Sequence, residues 1–371
     1  MRITIDATSL LVRSAGVKNY TYHWLDYLRR HAAPGEEIRA FPLLGDLKSL
    51  DHEASALSLF STAPRLAMLQ AANWMAPAVL DWAVAESDVF HASNMVRRVP
   101  RRTRLTATLH DLTSMLMPAL HTRANIRADR SFFERIVRRA DALIAVSENT
   151  RQDAIRLLQI APEKITTIHS GIPAAYFAAI PTKRTRPYVL YVGAIEPRKN
   201  LPTLLDAWKQ LKPDLRKGFE LAIAGPAGWS SEAAIARVRA EATYLGYVPE
   251  ADLPGLVAGA AAFVYPSLYE GFGFPVVQAM AAGVPVVTSN TSCLPEIAGD
   301  AALLADPRSA SEIAAQLTRL LESESLRDDL ASRGRKRAER YRWEACATRS
   351  LEFFRSVAGL SASRATSPGP R

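Results

Sequence analysis

The sequence predicts two consecutive doubly wound α/β domains, each a parallel sheet covered by helices on both faces. Three observations carry this expectation. Short apolar runs of strand length alternate with longer amphipathic stretches, and short buried strands separated by helices imply parallel pairing. The alternation stops at one polar, proline-containing gap and then restarts. Finally, 371 residues are too many for one ordinary core but suit two domains of roughly 150 to 200 residues. With 48% apolar and 22% charged residues the chain is of globular composition, so both domains can bury real cores.

The elements run in order. "RITIDA" (2–7) reads as the first strand, "RSAGVKNY" (13–20) as a glycine-containing loop and "TYHWLDYLRR" (21–30) as an amphipathic helix. Further strands are expected at "DVFHAS" (88–93), "RLTATLHD" (104–111), "DALIAVS" (141–147) and "KITTIHSG" (164–171), completing a first domain over 1–175. The polar gap "AAIPTKRTRP" (178–187) places a linker at 176–187. The second domain, 188–342, repeats the pattern at "YVLYVG" (188–193), "ELAIAG" (220–225), "ATYLGYV" (242–248), "AAFVYPS" (261–267), "PVVTSN" (285–290) and "AALLADP" (301–307). The last stretch, "SASRATSPGPR" (361–371), has the composition of a disordered tail. In sheets of this kind ligands bind beyond the carboxyl ends of the strands, and with two such domains the natural pocket is the cleft between them.

Several classes are disfavoured by what the chain contains. Cys293 and Cys346 are too few for a disulfide framework and are not spaced as metal ligands, which suits a reducing cytoplasm. The start, "MRITIDATSL", reads as a strand rather than a signal peptide. The best candidate membrane span, "RLAMLQAANWMAPAVLDWAVA" (65–85), is interrupted by Gln70, Asn73, Pro77 and Asp81, so no span is expected. The net charge is +9, and its densest part lies between Arg97 and Arg139, where eleven arginines face three acids, Asp111, Asp129 and Glu134. Three readings fit this region: a solvated helix face, an anionic substrate or membrane surface drawn to the cations, or nucleic acid, which no accompanying motif supports. Trp74 and Trp82 lie nearby in sequence, where core packing competes with a place at a lipid surface.

The richest segment chemically is "YEGFGFPVVQAMAAGVPVV" (269–287). A buried strand leads into it, Pro275 suits the first turn of a helix, and Gly283 closes that helix before the next strand. Free N–H groups around Gly273, Phe274 and Val276 are expected to face a phosphate or another anion, with Gly271 and Gly273 allowing close backbone approach. Gln278, about one turn in, leans back toward the same ligand, and Glu270 can accept from hydroxyls. A carboxylate and an amide at one helix entrance suit a phosphorylated, polyhydroxylated ligand, although the same spacing also suits an ordinary capped surface helix. No two aspartates are separated by one residue, so the D-x-D pair that would hold Mg²⁺ or Mn²⁺ on a diphosphate is missing. Nor does G-x-G-x-x-G follow the first strand, which disfavours a dehydrogenase.

This segment resembles the E-x7-E signature of family 4 retaining glycosyltransferases of the GT-B fold. "YVGAIEPRKNL" (191–201), "LAIAGPAGW" (221–229), "YLGYVPEADLPGLVAGAAAFVYPSLYEGFG" (244–273) and "SCLPEIAGDAALLADP" (292–307) extend the resemblance. In the first half, "GVKNY", "DVFHAS", "TLHDLTSMLMP" and "VSENTRQD" resemble the subgroup that includes many bacterial mannosyltransferases.

The resemblance implies roles residue by residue. Glu270 would hold hydroxyls of the transferred sugar, together with the backbone of Gly271, Phe272, Gly273 and Phe274. Arg198 and Lys199 would hold the donor diphosphate; many relatives carry the arginine directly after the glycine, where this chain has Ala194, so the match is firmer at Lys199. Gly16 would face the diphosphate from the other domain, and His110 would lie beside the reacting sugar, with Asp111 capping or orienting its neighbourhood. Gly246, Tyr247 and Val248 would contact the base and Gln278 the ribose, where the family usually has Glu. A C-terminal helix, 343–360, would cross back to the first domain.

The implied reaction transfers a hexose, mannose from GDP-mannose, with retention, no metal and no other cofactor, by front-face displacement. The acceptor would be a lipid-linked or oligosaccharide glycan of bacterial cell-surface polysaccharide, handled on the cytoplasmic side of an anionic membrane. Two alternatives stand beside it: a UDP-hexose-dependent transferase of the same fold, and a weakly active nucleotide-sugar-binding subunit serving a partner transferase.

Overall fold

In the computed structural model, which describes residues 1–12, 16–42, 55, 57–75, 77–93, 95–229 and 231–365, two six-stranded parallel sheets organise the chain. The first contains β1 (Arg2–Asp6), β2 (Glu37–Phe41), β3 (Val89–Ala92), β4 (Arg104–Leu109), β5 (Ala142–Ala145) and β6 (Ile165–Thr167), in the order β2-β1-β3-β4-β5-β6. Ile3 and Ile5, Val89 and Phe90, Leu105 to Leu109 and Leu143 to Ala145 are buried, as expected for central strands covered on both faces.

β2 is absent from the strands read in the sequence. Its segment, "EIRAF", buries Ile38, Ala40 and Phe41 while Glu37 and Arg39 pair with each other at 2.7 Å. It is an edge strand hydrogen-bonded only to β1, and two charges in five residues hide its apolar pattern.

The second sheet contains β7 (Tyr188–Val192), β8 (Glu220–Ala224), β9 (Thr243–Gly246), β10 (Ala262–Tyr265), β11 (Val286–Ser289) and β12 (Ala302–Ala305). Its order is β12-β11-β10-β7-β8-β9, the doubly wound arrangement in which the chain reverses direction of build between its first and fourth strands. That places a crevice at the carboxyl ends of β7 and β10. In the first sheet the corresponding reversal lies between β1 and β3.

The chain divides into two compact units, Met1–Gly171 with Trp343–Arg371, and Ile172–Arg342. The break therefore falls at Gly171, before the linker expected at 176–187. The reason is that the segment after the break is bonded into the second unit: Ile172 donates to the Tyr341 carbonyl at 2.7 Å, Phe177 lies under the Arg342 guanidinium at 3.9 Å, and Thr182 donates to the Gly255 carbonyl at 2.9 Å.

The helix Trp343–Ala365 completes the first unit by packing on the helix Gly16–His31. Trp24 donates through Nε1 to Ser350 Oγ at 3.0 Å, Tyr20 meets the Trp343 ring edge-on at 5.6 Å, and Arg355 pairs with Glu36 at 2.8 Å. Buried Tyr20, Trp24 and Leu28 recur at four-residue spacing and form the helical face that receives this packing. The earlier helix starts at Gly16, so 16–20 are helical rather than loop, while residues 13–15 lie outside the described residues. Likewise the last helix runs through 361–365, part of the stretch whose composition suggests a disordered tail, and 366–371 lie outside the described residues.

The apolar stretch 65–85 is broken as its polar residues predict: a helix Leu59–Gln70, a π turn Ala71–Met75 and a helix Pro77–Ala83. Among the described residues no helix is long and apolar enough to cross a membrane. The side chain of Trp74 lies outside the described ones; Trp82 is 70% exposed.

Gly171 is where the chain leaves the first unit, and Trp343 is where it returns. A Cβ at Gly171 would fall on the Trp343 indole and within 2.5 Å of its Cα. Gly171→Ala is therefore expected to destabilise the docking of the last helix by about 1–3 kcal/mol, the usual range for overpacking, measurable as a lower urea midpoint.

Candidate active site

The crevice at the carboxyl ends of β7 and β10 is built by two loops that hold each other. After β7 the chain makes a 3₁₀ turn, Pro197–Lys199, and ends it at Asn200 with φ +61°, a left-handed position that Asn tolerates. The buried Asn200 amide donates to the carbonyls of Pro266 (3.0 Å) and Pro307 (2.6 Å), so the turn is stapled to the loop after β10 and to the end of β12. Leu268 in turn donates to the Arg198 carbonyl at 2.9 Å.

Into this frame project three charged side chains that sequence analysis had singled out. Glu270 Oε2 accepts from Arg198 at 2.9 Å, and Oε1 accepts from Lys199 at 2.7 Å, from Ser267 at 2.6 Å and from the Tyr265 hydroxyl at 3.0 Å. All three are largely buried, and neither cation is favoured over the other. Lys199 also reaches the Tyr265 hydroxyl at 2.6 Å, and Arg198 lies 3.8 Å from Glu196. Burial alone would raise the Glu270 pKa, but Arg198 and Lys199, helped by hydrogen bonds from Lys199 and Ser267, overcome it and hold the carboxyl at about 2. Burial and then the neighbouring Arg198 push Lys199 down, against the pull of Glu270 and Glu196. Tyr265 and the stacked Tyr191, with ring centroids 5.7 Å apart, are pushed well above the ordinary phenol value by burial and then by Glu270.

The helix that follows, Phe274–Ala281, starts from Gly273 in the left-handed region (φ +84°) with no side-chain cap. Pro275 occupies the first turn as expected. Val276 does not offer a free N–H: it donates to the Gly273 carbonyl at 3.0 Å, closing the first turn, so the open amide end of this helix is at Phe274. At the other end Val284 donates to Ala279 and Gly283 to Met280, the paired bonds of a glycine-closed C-terminus. Gln278 is half-buried, four residues beyond Phe274 on one helix face, and its amide makes no hydrogen bond among the described residues. Gly271 and Phe272 are buried at the helix entrance, Phe272 packing edge-on against Phe274 at 5.0 Å. Gly246, at φ +68°, ends β9, with Tyr247 41% exposed and Val248 following; β8 separates this point from β7.

The remaining predicted residues lie in the first unit. Gly16 is exposed at the start of its helix. His110 directly follows β4 and meets the Tyr20 ring edge-on at 4.8 Å. Asp111 accepts from Thr113 N–H and Oγ1, capping the short helix that follows. Beside this edge the sequence concealed a polar network: Asp6, at the end of β1, accepts from Ser93 N–H (3.1 Å) and Oγ (2.5 Å) and from Thr8. His91 is buried between the hydroxyls of Thr106 and Thr108, at 2.9 and 3.0 Å. Lys18, fully buried, donates to the Val12 carbonyl at 2.9 Å. Asn200, Tyr265, Ser267, Asp6, Ser93, His91 and Lys18 were not singled out beforehand. Asn200, His91 and the Asp6–Ser93 pair meet their partners only through sheet order, whereas Tyr265 and Ser267 reach Glu270, and Lys18 reaches Val12, within six residues of chain; for the strand residues the one signal available is polarity in or beside otherwise apolar strands.

Comparison with known proteins bears on the same segments. Residues 15–176 match the family described as Glycosyltransferase Family 4, and residues 174–337 match Glycosyl transferases group 1. Over 306 residues the chain is 33% identical to the O-antigen chain mannosyltransferase B of Escherichia coli, covering 78% of this chain and 80% of the relative. The chain belongs to glycosyltransferase family 4. Among solved structures, sucrose-phosphate synthase of Thermosynechococcus elongatus matches with a TM-score of 0.72 at 20% identity, covering 97% of this chain and 99% of the other. The Alr3699/HepE protein of Anabaena, solved in complex with UDP-glucose, matches with 0.66 at 18% identity, covering 96% and 100%. The fold is GT-B, and this family 4 protein is a glycosyltransferase.

Two buried or half-buried histidines of this glycosyltransferase, His91 and His110, are held neutral. Burial lowers His110 to about 4, against an upward pull from Asp111, and lowers His91 to about 3, with His110 adding to the effect. Both rings are neutral at neutral pH. An unfolded imidazole titrates near 6.5, so below that value the unfolded chain binds protons that the folded unit does not. The stability these neutral rings contribute is complete above about pH 6.5 and is lost as the pH falls through about 4 and then about 3. NMR of the imidazole C–H signals should show neither ring titrating between about pH 8 and about pH 5; a midpoint near 6.5 for His110, which is half-buried, would overturn its lowered value.

Proposed function

We propose that the protein transfers a hexose, mannose from GDP-mannose, to a hydroxyl of a lipid-linked or oligosaccharide acceptor in bacterial cell-surface polysaccharide synthesis, with retention and without a metal ion. The observation that carries this reading is the buried Arg198–Glu270–Lys199 cluster at the crevice between β7 and β10. A sugar nucleotide breaks its glycosidic bond at a diphosphate, where negative charge develops. Two cations in a water-poor site, with the Phe274 amide end of a helix alongside, stabilise that leaving charge. A carboxylate beside them accepts from sugar hydroxyls once the diphosphate shares the cations.

With its pKa near 2, Glu270 is ionised throughout the working range and is a poor proton acceptor. Its proposed role is to bind, not to move a proton. The proton of the acceptor hydroxyl goes to the departing diphosphate oxygen as the new glycosidic bond forms on the same face. His110, neutral, is proposed to hydrogen-bond the reacting sugar. Gly246–Val248 lie two strands from β7, about 10 Å at ordinary strand spacing, a separation that suits a base reached from a diphosphate at β7. Gln278 is proposed to meet the ribose.

The 33% likeness to a mannosyltransferase named for the O-antigen chain supports the sugar and the class of acceptor. A UDP-hexose donor is the second reading, favoured by the fold's likeness to a protein solved with UDP-glucose. The free, buried thiols of Cys293 and Cys346 suit work on the cytoplasmic side of the membrane.

A panel of GDP- and UDP-sugars, scored by mass spectrometry for transfer or slow donor hydrolysis, tests this. GDP-mannose turnover is expected, and Glu270→Ala should abolish it. Preferential use of a UDP-sugar would replace the donor assignment, and tight GDP binding without any turnover would make the protein a binding subunit. Gln278→Glu, restoring a charge-assisted contact of about 1 kcal/mol, is expected to lower donor KM roughly fivefold with kcat little changed.

A further inference from the structure

Two histidines belong to neighbouring strands of the first sheet, His91 in β3 and His110 just after β4, and they are held in different ways. His91 is fixed by two threonine hydroxyls, Thr106 at 2.9 Å and Thr108 at 3.0 Å. The His110 ring makes no hydrogen bond among the described residues, so its nitrogens are open to a ligand. What it meets is Tyr20, edge-on, with ring centroids 4.8 Å apart and planes at 81°. This is a favoured arrangement of aromatic quadrupoles.

Tyr20 is fixed in turn from behind. It is buried, packing against Trp24 at 5.2 Å and edge-on against Trp343 at 5.6 Å. Trp343 is fully buried, stacks on His23 at 5.8 Å and fills the space that Gly171 leaves by having no side chain. Trp24 is anchored through Nε1 on Ser350 and lies 5.9 Å from the Phe354 ring. Trp343, Ser350 and Phe354 all belong to the last helix, Trp343–Ala365. A column of packed rings therefore runs from that helix through Tyr20 to the histidine at the carboxyl end of β4.

We propose that Tyr20 and Trp343 are positioning residues for His110: their rings fix the orientation in which the imidazole meets a sugar hydroxyl. The inference rests on the place given to His110 beside the reacting sugar under the proposed function. A side chain without hydrogen bonds of its own keeps its orientation through the shape of its seat. Misplacing a reacting geometry by about 1 Å costs on the order of a hundredfold in rate. The helix that closes the chain thereby takes part in the chemistry from behind the site.

NMR of the imidazole C–H signals, paired with transfer kinetics, tests this. Tyr20→Leu keeps apolar volume and removes the ring; the His110 midpoint should rise from about 4 toward about 6.5 as water reaches the imidazole. His91, held by its threonines, should stay neutral above about pH 5 in the same variant, whereas general loosening would move both rings. The kcat should fall about tenfold with donor KM within about twofold, because the Arg198–Glu270–Lys199 cluster lies in the other unit. Tyr20→Phe, which keeps the ring, should match the unsubstituted protein in both measurements. Trp343→Phe, a smaller ring in the same place, should move the His110 midpoint the same way by less, and it decides the matter if Tyr20→Leu does not fold. An unmoved His110 midpoint, a common shift of His91 and His110, or a loss in Tyr20→Phe equal to that in Tyr20→Leu would overturn the proposal. The midpoint is read without substrate, so a protein that turned over no sugar nucleotide would overturn the functional reading while the titration still decides this one.

Discussion

Buried charge is the constraint around which the second unit is arranged. Glu270, Arg198 and Lys199, with Glu196 beside Arg198, bring two negative and two positive groups out of water at the ends of two neighbouring strands. Desolvating each ion costs on the order of several kcal/mol, offset only when geometry and hydrogen bonding are good. The structure supplies both: Tyr265 and Ser267 donate to the carboxylate, and the Asn200 staple fixes the turn that carries the cations. Apolar residues of similar volume would stabilise the fold as well or better, so the ionic arrangement is best understood through its ligand. Without a ligand the cluster is balanced, and under the function proposed above an arriving diphosphate would compete with Glu270 for the same cations.

The second half was the more legible of the two. Its strands are apolar runs bounded by glycine or proline, β7, β8, β10 and β11 largely buried and the edge strands β9 and β12 only partly so, and the helix entrance after β10 carries its residues consecutively in sequence. Glu270, Arg198 and Lys199 could be named because each falls in such a motif. Asn200 lies within the same stretches, yet its task depends on β7 and β10 being neighbours although β8 and β9 intervene in sequence. Val276 shows the limit at finer scale: the sequence pattern leaves its amide open, but the turn that starts at Gly273 consumes it.

The first unit hides its chemistry differently. Its interior holds polar groups, Asp6, His91 and Thr106, on strands that are largely apolar, with the half-buried Ser93 beside them. Each is satisfied by a partner from another strand or loop, and such pairings do not register in one-dimensional periodicity. Burial keeps the imidazoles neutral and raises the Asp6 pKa despite its hydrogen bonds from Ser93 and Thr8. β2 escaped notice for the simpler reason that an edge strand tolerates charge.

The route of the chain has a consequence for synthesis. Since Trp343 and the helix it begins belong to the same unit as β1 to β6, the first 171 residues emerge from the ribosome without the surface that covers Tyr20 and Trp24. The segment 172–342 is continuous and can fold while its successor is still in the exit tunnel. Domains usually fold in the order they are made. Here the first to be translated is the last to be finished, and a nascent chain halted before Trp343 leaves an aromatic face exposed to chaperones.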